Sequence, residues 1–273
     1  MQNQPIDNPE NWGAASKGYA EKIAPVLMKP FCDHFLSSLD LKEEHDVLEV
    51  AAGSGIFTIP LSRKVNSVLA TDFAQDMINV ISSETEKNGI ENVSLAVMDG
   101  QDLQIEDSSF ERVICCFGLM LFPDRAKGFS EIHRVLKPGG KALISGWADP
   151  SRFESFALFL QALNTAIPDL PPPPAPPPVF SLADLDSFKS EMKDAGFKDI
   201  EVSFVPSKTL LDDFEQTWDM LTIGAPPVRL LFDQVGEEKK EDVREALKTI
   251  MEEKYGTSNY SLNNTATLGI ASK

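Results

Sequence analysis

Two glycines and three acids, each placed where an apolar run ends or turns, are the residues of this chain best suited to chemistry. Gly53 and Gly55 close the stretch V-L-E-V-A-A-G-S-G-I-F-T, residues 47 to 58, which carries a single acid, Glu49. Asp72 follows the apolar run S-V-L-A-T, Asp99 follows V-S-L-A-V-M, and a fourth run ends in Cys116-Phe117-Gly118. An apolar run that turns sharply at small residues reads as a buried parallel strand feeding a helix whose free N–H groups face a ligand. Ligands of open parallel sheets bind beyond the carboxyl ends of the strands. Asp72 stands at about the distance from the glycines at which an acid holds two ribose hydroxyls. Asp99 can accept from an exocyclic amine while Met98 covers a ring. Each feature alone also fits a tight corner or a solvated strand end; their joint order suits a nucleoside-bearing ligand lying across the sheet.

A phosphate is less well served. The dinucleotide fingerprint G-x-G-x-x-G places Thr58 at its third glycine, and Glu49 beside the turn would repel a pyrophosphate while favouring a cation.

The elements that must position these residues alternate between strand and helix from 46 to 145. Strands are expected at 47–50, 67–71, 93–98, 110–117 and 141–145, and helices at 56–62, 75–88 and 125–136. Apolar strands separated by amphipathic helices imply right-handed crossovers into a parallel sheet covered on both faces. Ahead of them, residues 14–39 have helical periodicity, and Pro25 and Pro30 predict two short helices there rather than one long one. Trp12 and Tyr19, just before the core, are placed either to pack or to close over the site. After residue 147 come an apolar helical face (Phe153, Phe156, Phe159, Leu160, Leu163) and a proline-rich run at 169–180, read as a stiff strap. Ser181 with Asp184 resembles a capping box for a helix that Gly196 stops, and strands are expected at 197–205 and 265–271. Phe214 and Trp218 belong to an amphipathic stretch ended by Gly224, Pro226 and Pro227, read with residues 151–166 as a cap over the substrate space. The helix around Val243 to Met251 fits an outer layer equally well. The whole is expected to be a single domain: a helical segment at 1–44, a binding core at 45–147, cap segments at 148–180 and 207–260, and returns to the sheet at 181–206 and 261–273.

Composition bounds the partners. The 273 residues carry a formal net charge of -17, which disfavours nucleic acid and anionic membrane surfaces. Of three cysteines, Cys115 and Cys116 are adjacent in an apolar run and read as small hydrophobes, not as a disulfide framework or metal knuckle. No apolar stretch reaches spanning length, no basic leader precedes one, and no metal-ligand set stands out; a cytoplasmic protein is the expectation.

Four ordered motifs, V-L-E-V-A-A-G-S-G, A-T-D-F-A-Q-D-M-I, M-D-G-Q-D-L with D-S-S-F-E-R-V, and E-I-H-R-V-L-K-P-G-G, resemble the class I S-adenosylmethionine-dependent methyltransferases. The similarity is to the branch of ubiquinone and menaquinone biosynthesis and covers about residues 45–147. The resemblance implies a Rossmann-like α/β fold with sheet order 3-2-1-4-5-7-6 and an antiparallel last strand. It implies S-adenosylmethionine as cofactor and S-adenosylhomocysteine as product. Glu49 would help hold the amino-acid end, with Ala51, Gly53 and Gly55 as backbone cradle. Asp72 would bind the ribose, with Phe73 and Met77 on that side. Asp99 would bind the adenine amine, with Met98 and Gly100 nearby, and Cys116, Phe117 and Gly118 would line the way to the methyl group. Ala51 stands where the family has its first glycine, a methyl tolerated if the residue keeps β geometry. His133, in the H-R-V-L-K-P-G-G run, belongs to a helix-to-strand corner.

Methyl transfer is an in-line displacement in which the protein aligns donor and acceptor and excludes water. No general base stands out: His34 and His45 fall in or beside helices ahead of the core. The expected acceptor is a small, partly apolar molecule met by Trp12, Tyr19, Phe117, Phe153, Phe156, Phe159, Phe214 and Trp218, the last five of which fit core packing equally well. A protein or carrier-bound substrate and a non-catalytic binding protein stay open, as does the choice between monomer and homodimer.

Overall fold

The computed structural model describes residues 8–171, 177–223, 232 and 236–273. Seven strands form one sheet in the order β3-β2-β1-β4-β5-β7-β6. The first five are β1 (Asp46–Val50), β2 (Ser67–Asp72), β3 (Val93–Val97), β4 (Phe110–Cys116) and β5 (Leu136–Trp147), all parallel. β7 (Tyr260–Ser272) runs antiparallel between β5 and β6 (Lys198–Leu211). Val47, Leu48 and Val50 are buried because helices cover both faces at the centre of the sheet, which is why β1 reads as a continuous apolar run. The order reverses between β1 and β4, so their carboxyl ends flank a crevice.

The N-terminal segment departs from expectation. It is one continuous helical run: α1 (Pro9–Gly18), a π-helical stretch (Tyr19–Met28) and α2 (Lys29–Ser37). Pro25 does not break it. The wider π turns, with the Lys29 N–H donating to the Ala24 carbonyl, absorb the missing donor and the ring, and Pro30 sits in the first turn of α2.

Other boundaries also move. α3 (Thr58–Ser62) is a short turn begun late, and α5 (Arg125–Val135) stops before Leu136, which already belongs to β5. The Pro138-Gly139-Gly140 turn is a bulge within that strand, where the β4–β5 register slips. The cap of α7 (Leu185–Asp194) is Asp184 alone, accepting from Ser187 N; the Ser181 hydroxyl instead donates to the Met120 carbonyl. The β6–β7 hairpin is far longer than its two apolar cores suggested, because residues 206–211 and 260–264 pair on beyond the sheet and carry polar groups. Most of the proline run (172–176), Gly224, Pro226 and Pro227 lie outside the described residues.

The remaining helices are α4 (Gln75–Lys87), α6 (Glu154–Ala166), α8 (Phe214–Thr222) and α9 (Lys240–Tyr255). α6 packs on α9 and β7, while α8 packs on the π-helical stretch, β6 and α9. Glu154 anchors this layer, accepting from Lys254 Nζ and the Asn263 backbone and from the Tyr255 hydroxyl.

Arg112 ties the N-terminal run to the core. Its buried guanidinium donates to the carbonyls of Leu39 (2.8 Å), Asp40 (3.2 Å) and Glu111 (2.9 Å), holding Asp40 at φ 47°. Arg112→Met should leave these carbonyls short of donors and lower stability by on the order of 2–3 kcal/mol. A urea midpoint unchanged from the parent would contradict that role.

Candidate functional site

The turn after β1 is held by its own geometry. Ala51, Gly53 and Gly55 adopt φ of +55°, +56° and +82°, a left-handed series in which the two glycines carry no penalty. Ala51 is therefore not in β geometry, so the condition on which its methyl was expected to be tolerated is not met. Its methyl is tolerated in the left-handed region at a cost of about 1 kcal/mol. It also meets Gly118 closely: a Cβ built on Gly118 would lie 2.5 Å from the Ala51 Cβ. Phe117 is likewise left-handed, at φ +59°, with its N–H donating to Ser145.

Beneath the turn, Glu49 is buried and accepts from the Thr58 hydroxyl at 2.6 Å. Thr58, which occupies the third-glycine place of a dinucleotide fingerprint, thus has a different task here. Burial pushes the Glu49 carboxyl up to about 8, against the Thr58 bond that favours ionisation. A carboxyl raised above its ordinary 4.5 binds its proton more tightly folded than unfolded. Its contribution to stability is therefore unaltered below about 4.5, falls as pH rises toward about 8, and levels beyond. Melting temperatures of the ligand-free chain should fall across that window more steeply than those of Glu49→Gln; parallel profiles would sink the assignment.

Asp72 ends β2 with both oxygens turned to the crevice loops. Oδ2 accepts from Gly53 N at 2.8 Å and Oδ1 from Ala74 N at 3.0 Å. Burial raises its carboxyl while these donors oppose the rise. Asp99, after β3, is exposed and held by Gln101, whose backbone N–H and side-chain amide donate to it at 2.9 and 3.0 Å. The Gln101 side-chain oxygen Oε1 accepts from Asp124 N at 2.8 Å, joining this loop to the start of α5.

These ends meet in one cavity. Trp12, Tyr19, Ala51, Gly53, Asp72 and Phe73 line one part, and Met77, Met98, Asp99, Gly100, Cys116 and Phe117 continue its wall. Gly118, Gln101, Leu121, Phe122 and Pro123 complete it. The last four had no signal from type or spacing. Phe122 could be sought through its glycines, since a Cβ at Gly100 or Gly128 would come within 2.5 or 2.6 Å of its ring.

Glu49 and Gly55 do not reach the wall. Glu49 lies under the turn, and Gly55 faces a groove behind it, close to Ile81 of α4. Phe153, Phe156, Phe159, Phe214 and Trp218, expected as substrate contacts, are also off this wall. The apolar faces of α6 and α8 are spent on packing instead. Phe153 stacks on Trp147 at 4.4 Å and neighbours Phe156, Phe159 and Trp218 both meet Phe232, and Phe214 lies under Arg244.

No histidine lines the cavity. His133 packs edge-on against Phe197 and beside Gly196, His34 lies on α2, and His45 accepts from Lys42 N. Burial pushes the Cys115 thiol up to about 12 and raises the Cys116 thiol as well, so neither is a ready nucleophile. Among the described residues, no group of three or more His, Cys, Asp or Glu is placed to hold a metal, and no helix is long and apolar enough to cross a membrane.

Strand order places the glycine turn and the acids of successive strand ends around one crevice. Residues 47–140 match the model of a methyltransferase domain family, and over a similar stretch the chain is similar to demethylmenaquinone methyltransferases. That of Staphylococcus epidermidis is 34% identical over 121 residues, 43% of this chain and 49% of the relative. That of Bacteroides fragilis is 33% identical over 127 residues, 45% and 52% of the two chains. The matched part thus spans about half the length of these curated relatives.

Solved structures extend the likeness of fold. A Haemonchus contortus phosphoethanolamine N-methyltransferase 2, in complex with S-adenosyl-L-methionine, aligns at TM-score 0.58 and 19% identity over 98% of this chain and 57% of that one. An S-adenosylmethionine-dependent methyltransferase of Aquifex aeolicus aligns at 0.53 and 21% over 71% and 92%.

Proposed function

We propose that this protein transfers the methyl group of S-adenosylmethionine to a small, partly apolar acceptor. The observation that carries the reading is that the glycine turn of β1 and the acids after β2 and β3 line one cavity with apolar and aromatic walls. The residues fit the cofactor. Asp72, already fixed by two backbone N–H groups, has lone pairs left for two ribose hydroxyls. Phe73 and Met77 line that side. Asp99 accepts the adenine amine, with Met98 and Gly100 beside the ring. Ala51 and Gly53 let the backbone approach the amino-acid end, while Glu49 and Gly55 act from behind the turn. When bound, the cofactor supplies a methyl group already activated on a positively charged sulfur, so the chain's task is alignment and exclusion of water.

The acceptor enters against Trp12, Tyr19, Phe117 and the added wall of Leu121 and Phe122. Among the described residues no Lys, Arg or His lines the cavity, so nothing there favours a strongly anionic acceptor. A flat ring such as the demethylmenaquinone named in its relatives suits these walls, and α6, α8 and α9 act as a packed layer of a single domain beside them. Three unpaired thiols suit a reducing, cytoplasmic setting.

The test is transfer of labelled methyl from S-adenosylmethionine to reduced demethylmenaquinone and to a panel of neutral phenols, amines and thiols, beside anionic counterparts. Turnover confined to the neutral, ring-bearing acceptors is expected. Preference for phosphorylated acceptors or for protein would contradict the reading.

A further inference from the structure

The direction of the ligand follows from the strand order. β3, β2, β1 and β4 are neighbours, so a nucleoside with its base at Asp99 and its ribose at Asp72 extends over the turn after β1 toward the end of β4. The sulfur would then lie between Gly53 and the Cys116–Gly118 turn. Tyr19 lines the cavity beside that place. Its ring comes within 3.6 Å of where a Cβ on Gly53 would stand, and its phenol lies in the field of Asp72 and Cys116.

The helical run holds it there from two sides. Trp12 meets the Tyr19 ring edge-on at 6.3 Å. Behind it, Ile223 after α8 packs so closely on Gly18 that a Cβ would lie 2.6 Å from its side chain, and Lys22 pairs with Asp219 at 3.0 Å. Phe117 is fixed on the β4 side by stacking on Trp147 at 4.3 Å.

The methyl donor and its product differ at this point by one methyl and one positive charge. Aromatic faces attract cations, and Tyr19 and Phe117 stand in a wall that carries Asp72 and Asp99 with no cationic side chain among the described residues. Resting on the cofactor reading above, we propose that Tyr19, braced by Trp12, with Phe117 on the same cavity wall, reads the charge on the ligand's sulfur, so that the site binds the methyl donor more tightly than the neutral demethylated product. Tyr19 is then a specificity-determining residue that limits inhibition by product, a role outside the alignment of the acceptor.

Calorimetric titration of the full chain with S-adenosylmethionine, S-adenosylhomocysteine and sinefungin, which carries an amine at the methyl-bearing position, tests this. The parent should bind both cationic ligands more tightly than the thioether. Tyr19→Leu should shrink the ratio of the two dissociation constants by about three- to tenfold, whereas Tyr19→Phe should preserve it. Trp12→Leu should shrink it less, and serves as the reading if Tyr19→Leu does not fold. A ratio unchanged in the folded leucine variants, or a matched loss of both ligands, overturns the inference and leaves the cofactor reading standing. Failure of the parent to bind any of the three overturns the cofactor reading itself.

Discussion

Replacing Asp72 by asparagine should weaken S-adenosylmethionine binding by about two orders of magnitude while the chain stays folded. The carboxylate is the only acidic group at the end of β2, and it has two tasks. It accepts from Gly53 N and Ala74 N, which sets the glycine turn against the strand. Asp72 also lines the cavity, where its remaining lone pairs are the ones proposed to accept from two ribose hydroxyls. Asparagine keeps the shape but turns one oxygen into a donor, which opposes a backbone N–H and removes a charge-assisted acceptor. Each such bond is worth about 1.5–3 kcal/mol, so the loss of one or two gives the stated factor. Asp72→Ala should cost similar affinity and also lower the melting temperature, because two buried N–H groups lose their partner. Affinity unchanged in Asp72→Asn would remove the ribose assignment.

The second large effect is expected at the contact of Ala51 with Gly118. Gly118 has φ of -97°, so its glycine is required by space and not by backbone conformation. A methyl there would stand 2.5 Å from the Ala51 Cβ and 3.2 Å from the Cys115 sulfur. Gly118→Ala should therefore force the turns after β1 and β4 apart, lowering stability by about 1–3 kcal/mol and reducing cofactor affinity at least tenfold. Ala51→Gly removes the obstructing methyl and relieves the left-handed alanine. The double variant should return to within about threefold of the parent, a coupling that a double-mutant cycle measures directly. A Gly118→Ala chain as stable and as tight as the parent, or a double variant no better than the single, would contradict the account.

Much of this was legible in the residues because the parallel core is written in long-lived patterns. Buried strands read as apolar runs, the turn as Gly53-Ser54-Gly55, and the strand-end acids as interruptions at the right places. The π-helical stretch was not legible, since Pro25 predicts a break locally and only the tertiary packing of Ile23, Leu27 and Phe31 keeps the helix going. Aromatic content in the later segments did not decide between a cap and core packing. Phe153, Phe159 and Trp218 have the spacing of a greasy cap, but a helix face that packs on a hairpin has the same spacing. Trp12 and Tyr19, with less pattern around them, are the two aromatics that the fold brings from outside the core onto the cavity wall. The conformation of Ala51 was not legible; its left-handed φ follows from the tightness of a turn that must return to Thr71, whose carbonyl accepts from Ala52 N at 2.9 Å.

The central claim is that this crevice holds a nucleoside sulfonium and not a dinucleotide. Titration of the ligand-free chain with S-adenosylmethionine, S-adenosylhomocysteine and NAD in the same buffer tests it most directly. One site of micromolar-range affinity for the two sulfur nucleosides is expected, with much weaker binding of NAD. Absence of heat with both sulfur nucleosides, or tighter binding of NAD, would contradict the account.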